Sequence, residues 1–463
     1  MRENEQTKLS DVEWLPSPMA FREMMSTLDL IKKVIPHVFI VEPNCQNCKI
    51  LTRLIKHGYA ERARELSIVN DAYFLGVKSY AGFITVKPQH NSNLFFWFFP
   101  KASLPTESVP WIIWLQGGPG FSSMKGLFDL IGPFQIVDGR VTPRNVTWAK
   151  DYSLLFLDNP VGAGFSFTDD DRGYTNNEDD VGKQMYEFLQ QFLQMFPELR
   201  QTPLFIAGES YAGKYVPALG IQIHRQRNID PINLKGIIIG NGLIDPRSMM
   251  HYSDLCRALG IISDEKIHMI QQMEKDIVYL IDTKDMINAA NLFNATIEMI
   301  KKESGVSVYN IEKNPDNSAP YFERFLSNPK VRELIHVGNA SFNFNNQVVY
   351  EKMLPDIMNS TKPWLEELLE YYAVLCYNGQ LDVILAYSLS KHTYSLLDWS
   401  RRLEYDRAPR RQIRKTINDA VIGYKKSGGN FVEVLIRNAG HATMVEQPEA
   451  TKFIINNFID EFK

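Results

Sequence analysis

The chain has 463 residues, of which 44% are hydrophobic and 22% charged, and its formal net charge is −4. That balance excludes a basic surface for nucleic acid, and no uninterrupted apolar run is long enough to span a bilayer. The four cysteines, Cys45, Cys48, Cys256 and Cys376, are too few to scaffold a chain of this length through disulfides.

Taken in chain order, Met1–Ser10 is polar and charged, with no apolar stretch after it of the kind an export signal needs. Val34–Val41 lies too far in and is broken by Pro36 and His37, so no export signal is readable. Residues 1–50 are therefore expected to form an N-terminal extension of unassigned role. Cys45-Gln46-Asn47-Cys48 has the spacing of half a zinc site or a redox motif, but no second pair follows. Incidental spacing is the favoured reading there, and a local disulfide the lesser one.

From Ser79 the pattern sharpens. Gly82–Val86, Leu94–Phe99, Trp111–Leu115 and Ser153–Leu157 read as strands, and Asn177–Phe196 as an amphipathic helix. Pro203–Ala207 reads as a strand, Tyr211–Arg225 as a helix and Gly236–Gly240 as a strand. Such alternation predicts a mostly parallel central sheet with helices on both faces. Between about 246 and 345 the strand signal fades and helical patterns such as Asp264–Leu280 and Lys284–Lys302 take over. Strands return at Ala373–Tyr377 and Phe431–Arg437, and Pro448–Phe462 reads as a final helix. One domain over 51–463, interrupted by a helical cap insertion, is the expected layout. Such an insertion sits over the carboxyl ends of the strands, where ligands bind.

The sharpest local signal is Gly208-Glu209-Ser210-Tyr211-Ala212-Gly213, placed between a strand and a helix. A nucleophile elbow of the α/β-hydrolase fold needs small residues two before and two after its serine, because larger ones collide in so tight a turn. Gly208 and Ala212 meet that need, although an ordinary βα turn can carry the same letters. A serine hydroxyl needs a base, and in this architecture the order is Ser, then Asp or Glu, then His. Of the histidines after Ser210, His441 alone stands in a loop directly after the last strand, in Asn438-Ala439-Gly440-His441. Asp382 stands just past the preceding strand, in Tyr377-Asn378-Gly379-Gln380-Leu381-Asp382, where a turn or cap residue is the plain alternative. Gln116-Gly117-Gly118-Pro119-Gly120 follows the strand Trp111–Leu115. Its backbone N–H groups, with that of Tyr211, suit a developing oxyanion. A phosphate cradle is the other use of such a loop, but the Lys-Ser/Thr ending of a P-loop is missing.

With these residues in view, the chain resembles the serine carboxypeptidases, and most of all their vitellogenic carboxypeptidase-like branch. The resemblance runs from about Arg62 almost to the C-terminus. It is carried by Lys78–Phe83, Trp114–Gly120, Leu157–Gly162, Gly208–Pro217, Gly240-Asn241-Gly242 with Asp245-Pro246, Tyr377–Asp382 and Ala439-Gly440-His441. It implies an α/β-hydrolase fold and an exopeptidase that removes C-terminal residues, best in mild acid, without metal or organic cofactor. Ser210, Asp382 and His441 match the family triad, and Gly118 and Tyr211 its oxyanion donors. Glu209 matches a carboxyl that holds the substrate's terminal carboxylate, with Gln116, Gly117 and Asp129 beside it. Two carboxylates repel, so one of them must carry a proton, which favours acid pH. A purely local hydrogen bond is the bland role for Glu209.

Departures from the family pattern are also visible. Phe121 replaces a loop cysteine, so one family disulfide is absent. The second carboxylate-binding Glu of the family aligns with Leu130, and Asp129 sits one position earlier. Loss of one hydrogen bond to a charged group is worth about 1.5–3 kcal/mol. The resemblance further implies a secreted, lysosomal or vacuolar protein. N-glycosylation at the acceptors Asn145, Asn294, Asn339 and Asn359 depends on that location. The rival expectations are an esterase or acyltransferase on the same triad, and a non-catalytic binding partner of another secreted protein. The expected partner is a peptide or protein C-terminus; no nucleic acid and no membrane span are expected, and the oligomeric state is unassigned.

Overall fold

The computed structural model describes residues 45–101, 109–316, 318 and 320–463. The extension expected over 1–50 lies outside the described residues up to position 44.

Thirteen strands are described. In chain order they are β1 (Ile68–Val69), β2 (Ser79–Lys87), β3 (Ser92–Phe99), β4 (Trp111–Leu115), β5 (Phe134–Val137), β6 (Arg140–Pro143) and β7 (Ser153–Leu157), followed by β8 (Leu204–Glu209), β9 (Leu234–Gly240), β10 (Ala373–Gly379), β11 (Arg411–Ile413), β12 (Gly423–Gly428) and β13 (Phe431–Ile436). β5 and β6 pair as a separate hairpin, and the other eleven form one sheet in the order β1-β2-β3-β7-β4-β8-β9-β10-β13-β12-β11. Its centre, from β7 to β13, is parallel, and antiparallel strands flank it on both sides. The fold is the α/β-hydrolase type expected from the sequence.

Burial explains why the central strands read as near-continuous apolar runs: both faces of this sheet are covered. Successive residues serve opposite cores. In β3, Leu94, Phe96 and Phe98 join one core, while Phe95, Trp97 and Phe99 join the other. In β4, Trp111, Ile113 and Leu115 face the first core, and Ile112 and Trp114 the second. The first core is covered by helix α1 (Glu178–Met195) and helix α2 (Ala212–Arg225). The Asn177 side chain caps α1 by accepting from Asp180 N–H, and three acidic residues fill its first turn, matching the helix dipole. Phe188, Phe192 and Phe196 lie against Phe96 and Phe98, with ring centroids 5.0–5.8 Å apart. On the other face, Phe458 of the last helix, Pro448–Phe462, stands over Phe205 of β8.

Among the described residues between β9 and β10 the chain is helical and contains no strand. Helix α3 (Asp264–Asp282) and helix α4 (Met286–Ser304) pack together, and helix α5 (Gln347–Ile357) lies against α4. Helical structure continues past 345 through α5 and Lys362–Leu369. α4 is bounded by an Asp285 cap and by Gly305 in the left-handed region, at φ +68°. One sequence reading needs correction. Cys45 and Cys48 are joined as a disulfide with Cα atoms 5.6 Å apart, so their spacing is not incidental.

Candidate active site

Strand register decides where the chemistry collects. In the parallel ladder Leu115 stands beside Gly208, Glu209 beside Gly240, Tyr377 beside Gly240, and Gly379 beside Ile436. The carboxyl ends of β4, β8, β9, β10 and β13 are therefore level, and the loops leaving them open on one edge of the sheet. Those loops carry Gln116–Gly120, Ser210, Asn241, Asp382 and His441.

Ser210 sits at φ +68°, a left-handed conformation uncommon outside glycine. Strain of this kind costs about 1–3 kcal/mol and persists only where the surroundings fix it. Here the Ser210 N–H donates to Gly240 O (3.0 Å), and Ser210 O accepts from the N–H groups of Gly213 (2.9 Å) and Leu243 (3.1 Å). Gly208 is required for the turn: a Cβ there would lie 2.6 Å from Ala212 Cβ and 2.7 Å from Leu115 O. Gly117 is required for the approach of the next loop, since its Cβ would stand 2.5 Å from Tyr211 N and 2.9 Å from Ser210 Cβ. Gly118, at φ +120°, Tyr211 and Ser210 line one cavity of about 360 Å³.

Asp382 Oδ2 lies 2.8 Å from His441 Nδ1, and both residues are buried. Asp382 Oδ1 accepts from Leu385 N–H (3.3 Å). Burial pushes the His441 imidazole down, but Asp382 and then Glu209 outweigh that and hold it above its ordinary value. The Ser210 hydroxyl makes no hydrogen bond to His441 among the described residues. Resting sites often tighten only around substrate.

Beside them Glu209 is buried, and its Oε1 accepts from Gln116 Nε2 (3.2 Å) while Oε2 has no partner. Burial raises its proton affinity, against the pull of His441, Lys125 and the Gln116 bond. Gln116 is oriented in turn: its Oε1 accepts from Trp114 Nε1 (3.2 Å) and its N–H donates to Ser123 Oγ (3.1 Å). Leu130 is buried in the apolar core. Asp129 faces Lys125, with Oδ2 3.4 Å from Nζ. Of the acceptors, Asn145 and Asn339 are exposed. Asn294 lines the cavity and donates to Tyr350 Oη (2.5 Å), and Asn359 donates to Asp356 Oδ1 (2.7 Å).

Two positioning residues escaped sequence reasoning, although both lie in quoted motifs. Asn241 ties three loops together. Its Nδ2 donates to Gly440 O (3.1 Å) and His441 O (2.5 Å), its Oδ1 accepts from Gly379 N–H (2.8 Å), and its own N–H donates to Tyr377 O (2.8 Å). Asp158 fixes the segment after the glycine loop, accepting from Ser122 Oγ (2.7 Å), Ser123 N–H (2.8 Å) and Phe165 N–H (2.9 Å). The cavity wall was also missed. It comes from Phe293 and Ile297 of α4, Tyr350 and Ile357 of α5, and Leu243 and Leu385, with Glu298 and Lys301 lining it as well.

The profile of the family described as serine carboxypeptidase matches residues 70–461. This chain is a member of the serine carboxypeptidase family. It is 40% identical over 425 residues to a probable serine carboxypeptidase CPVL of Pongo abelii, covering 88% of this chain and 89% of that one. It is 39% identical to the vitellogenic carboxypeptidase of Aedes aegypti (88% and 89% covered) and 38% identical to the venom serine carboxypeptidase of Apis mellifera (88% and 90%). The crystal structure of a prohormone-processing carboxypeptidase from Saccharomyces cerevisiae superposes with a TM-score of 0.76 at 23% identity, covering 86% of this chain and 96% of that one. At that identity the superposition speaks for the fold. The chain is a serine carboxypeptidase, and its substrates are peptides. Among the described residues no helix is long and apolar enough to cross a membrane.

Proposed function

We propose that this serine carboxypeptidase works through an acyl-enzyme on Ser210, with roles distributed as follows. His441 Nε2 takes the Ser210 proton as Oγ attacks the carbonyl of the last peptide bond, and Asp382 holds the Nδ1–H and steadies the imidazolium. The N–H groups of Gly118 and Tyr211 receive the oxyanion. His441 then gives the proton to the departing amine, so the C-terminal residue leaves. Water next attacks the ester, losing its proton to His441, and Ser210 is regenerated. Glu209, held by Gln116, keeps a proton in mild acid and donates it in a hydrogen bond to the substrate's terminal carboxylate. Gly117 keeps the neighbouring backbone close enough for that end of the substrate to lie against the elbow.

The observation that carries this reading is the buried 2.8 Å Asp382–His441 pair on the same sheet edge as the strained Ser210, with Asn241 bonding the His441 loop one residue beyond the Gly240 carbonyl that holds Ser210. A serine-directed fluorophosphonate tests it. One label, mapped by mass spectrometry to Ser210 and lost in His441→Ala, is expected. No labelling of folded protein would leave the non-catalytic binding reading standing.

Location follows from the same reading. The Cys45–Cys48 disulfide favours an oxidising compartment, and the bee relative is named for venom, so we place the protein in a secreted or lysosomal/vacuolar setting. Glycans then belong at the exposed Asn145 and Asn339. Asn294, whose amide is bonded to Tyr350 inside the cavity wall, stays bare.

A further inference from the structure

We propose that Lys125 is the cation that recognises the substrate's terminal carboxylate, a role that rests on the carboxypeptidase reading. The sequence leaves no carboxyl at position 130, and the structure buries Leu130 in the apolar core beside Phe128. Recognition of a free carboxylate there must come from other groups. Glu209 alone is a poor site, because an ionised Glu209 repels a second carboxylate.

Lys125 is placed to resolve that repulsion. It starts the turn Gly126–Leu130, directly after the segment whose Ser123 hydroxyl accepts from Gln116 N–H. Gly126, lacking a Cβ, lets this turn pack directly onto the Trp114 indole. Trp114 orients Gln116, and Gln116 reaches Glu209, so the turn that follows Lys125 rests on the first member of a hydrogen-bonded relay to the buried carboxyl. The relay ends on the Glu209 carboxyl, whose Oε1 accepts from Gln116 while Oε2 is buried and without a partner. Lys125 Nζ is held only loosely, 3.4 Å from Asp129 Oδ2, and its side chain keeps 27% of its exposure. Strong charge-assisted bonds of this type close to about 2.7–2.9 Å. Its charge is felt at both Glu209 and His441, lowering the proton affinity of each. An incoming carboxylate exchanges the loose Asp129 contact for its own pairing with Lys125 and accepts a hydrogen bond from protonated Glu209. Asp129 then competes with substrate instead of binding it.

The test compares an N-blocked dipeptide with its C-terminal amide, using the wild type, Lys125→Met, Lys125→Arg and Asp129→Asn, each checked for fold by its unfolding midpoint. The expected results are a free-acid preference in the wild type, a loss of at least about 10-fold of that preference in Lys125→Met, mainly through KM, and its retention in Lys125→Arg. Asp129→Asn lowers KM for the free acid. With the amide, the acid limb of kcat/KM for Lys125→Met moves to higher pH, because the cation that opposed His441 protonation is gone. His441 also faces Asp382 and Glu209, which are unchanged in that variant. If the wild type prefers the free acid and folded Lys125→Met keeps that preference, Lys125 is not the recognising group. If the wild type does not discriminate, the carboxypeptidase reading itself falls. If Lys125→Met unfolds, Lys125→Gln takes its place with the same two expected results.

Discussion

Glu209 and His441 lie in one buried region, and each sets the other's proton affinity. An anionic Glu209 raises His441, while a cationic His441 or Lys125 lowers Glu209. His441 accepts the Ser210 proton only when neutral, so its pKa fixes the acid limb of kcat/KM. Glu209 keeps its proton across the acid limb, so Glu209→Gln is expected to leave that limb in place with an amide substrate. The alkaline fall in free-acid cleavage, which follows Glu209 losing its proton, is expected to disappear in the same variant. Rate profiles from pH 4 to pH 8 check both; an acid limb moved to lower pH would show that Glu209 is ionised there. Ser210 lies at the same scale, and Ser210→Ala is expected to lower kcat by roughly 10⁴-fold or more, measured on folded protein.

Elements determine how these residues meet. Glu209, Gly240, Tyr377 and Val434 stand in a level row near the strand ends, and Asn241, one residue beyond β9, stitches the loops that follow. Asn241→Ala strands two buried carbonyls and one N–H, at about 1–3 kcal/mol for each group left unsatisfied. Misplacing His441 by a fraction of its length lowers kcat, by on the order of 10²-fold, more than it changes KM. Separate kcat and KM values for Asn241→Ala check this; a pure KM effect would contradict it. The elbow, the glycine loop and the order Ser210, Asp382, His441 were legible because backbone geometry forces small residues and fixed loop positions. Asn241 was not, because its work is done through partners about 140 and 200 residues away. β12 was also hidden: Gly423–Gly428 is half-buried near the sheet edge, and its Tyr424-Lys425-Lys426-Ser427 run carries no apolar alternation. The helical insertion was visible as lost strand character, yet the wall that α4 and α5 present to Ser210 depends on tertiary packing. That apolar wall predicts a preference for large apolar side chains at the cleaved bond. kcat/KM for Phe or Leu is expected to exceed that for Asp by at least about 10-fold in matched peptides.

At the scale of the whole molecule, several carboxyls are buried in a way that couples stability to pH. Burial pushes Glu178 up to about 8, against the Lys214 charge and the Tyr211 hydroxyl. Its folded pKa lies above its ordinary value of 4.5, so the folded state holds a proton that the unfolded chain releases. Stability from this group is fully present below the unfolded value and is lost as pH rises through about 8. The unfolding midpoint is therefore expected to be higher at pH 6.5 than at pH 8.5, with a slope of at most about 1.4 kcal/mol per pH unit for one proton. The half-buried His336 acts in the opposite sense, but only below its ordinary value, outside this window. Glu178→Gln is expected to flatten the dependence; an equally steep curve would assign it to other groups. A fold that tightens as protons are added suits an enzyme whose substrate carboxylate meets a protonated Glu209.

Cleavage at a free C-terminus by Ser210 stands or falls on kcat/KM for an N-blocked dipeptide and its C-terminal amide across about pH 4–7.5, with Ser210→Ala as the control. Faster cleavage of the free acid is expected, greatest in mild acid, with a loss of roughly 10⁴-fold or more in the variant. Equal cleavage of acid and amide by the wild type, or undiminished cleavage by Ser210→Ala, would contradict it.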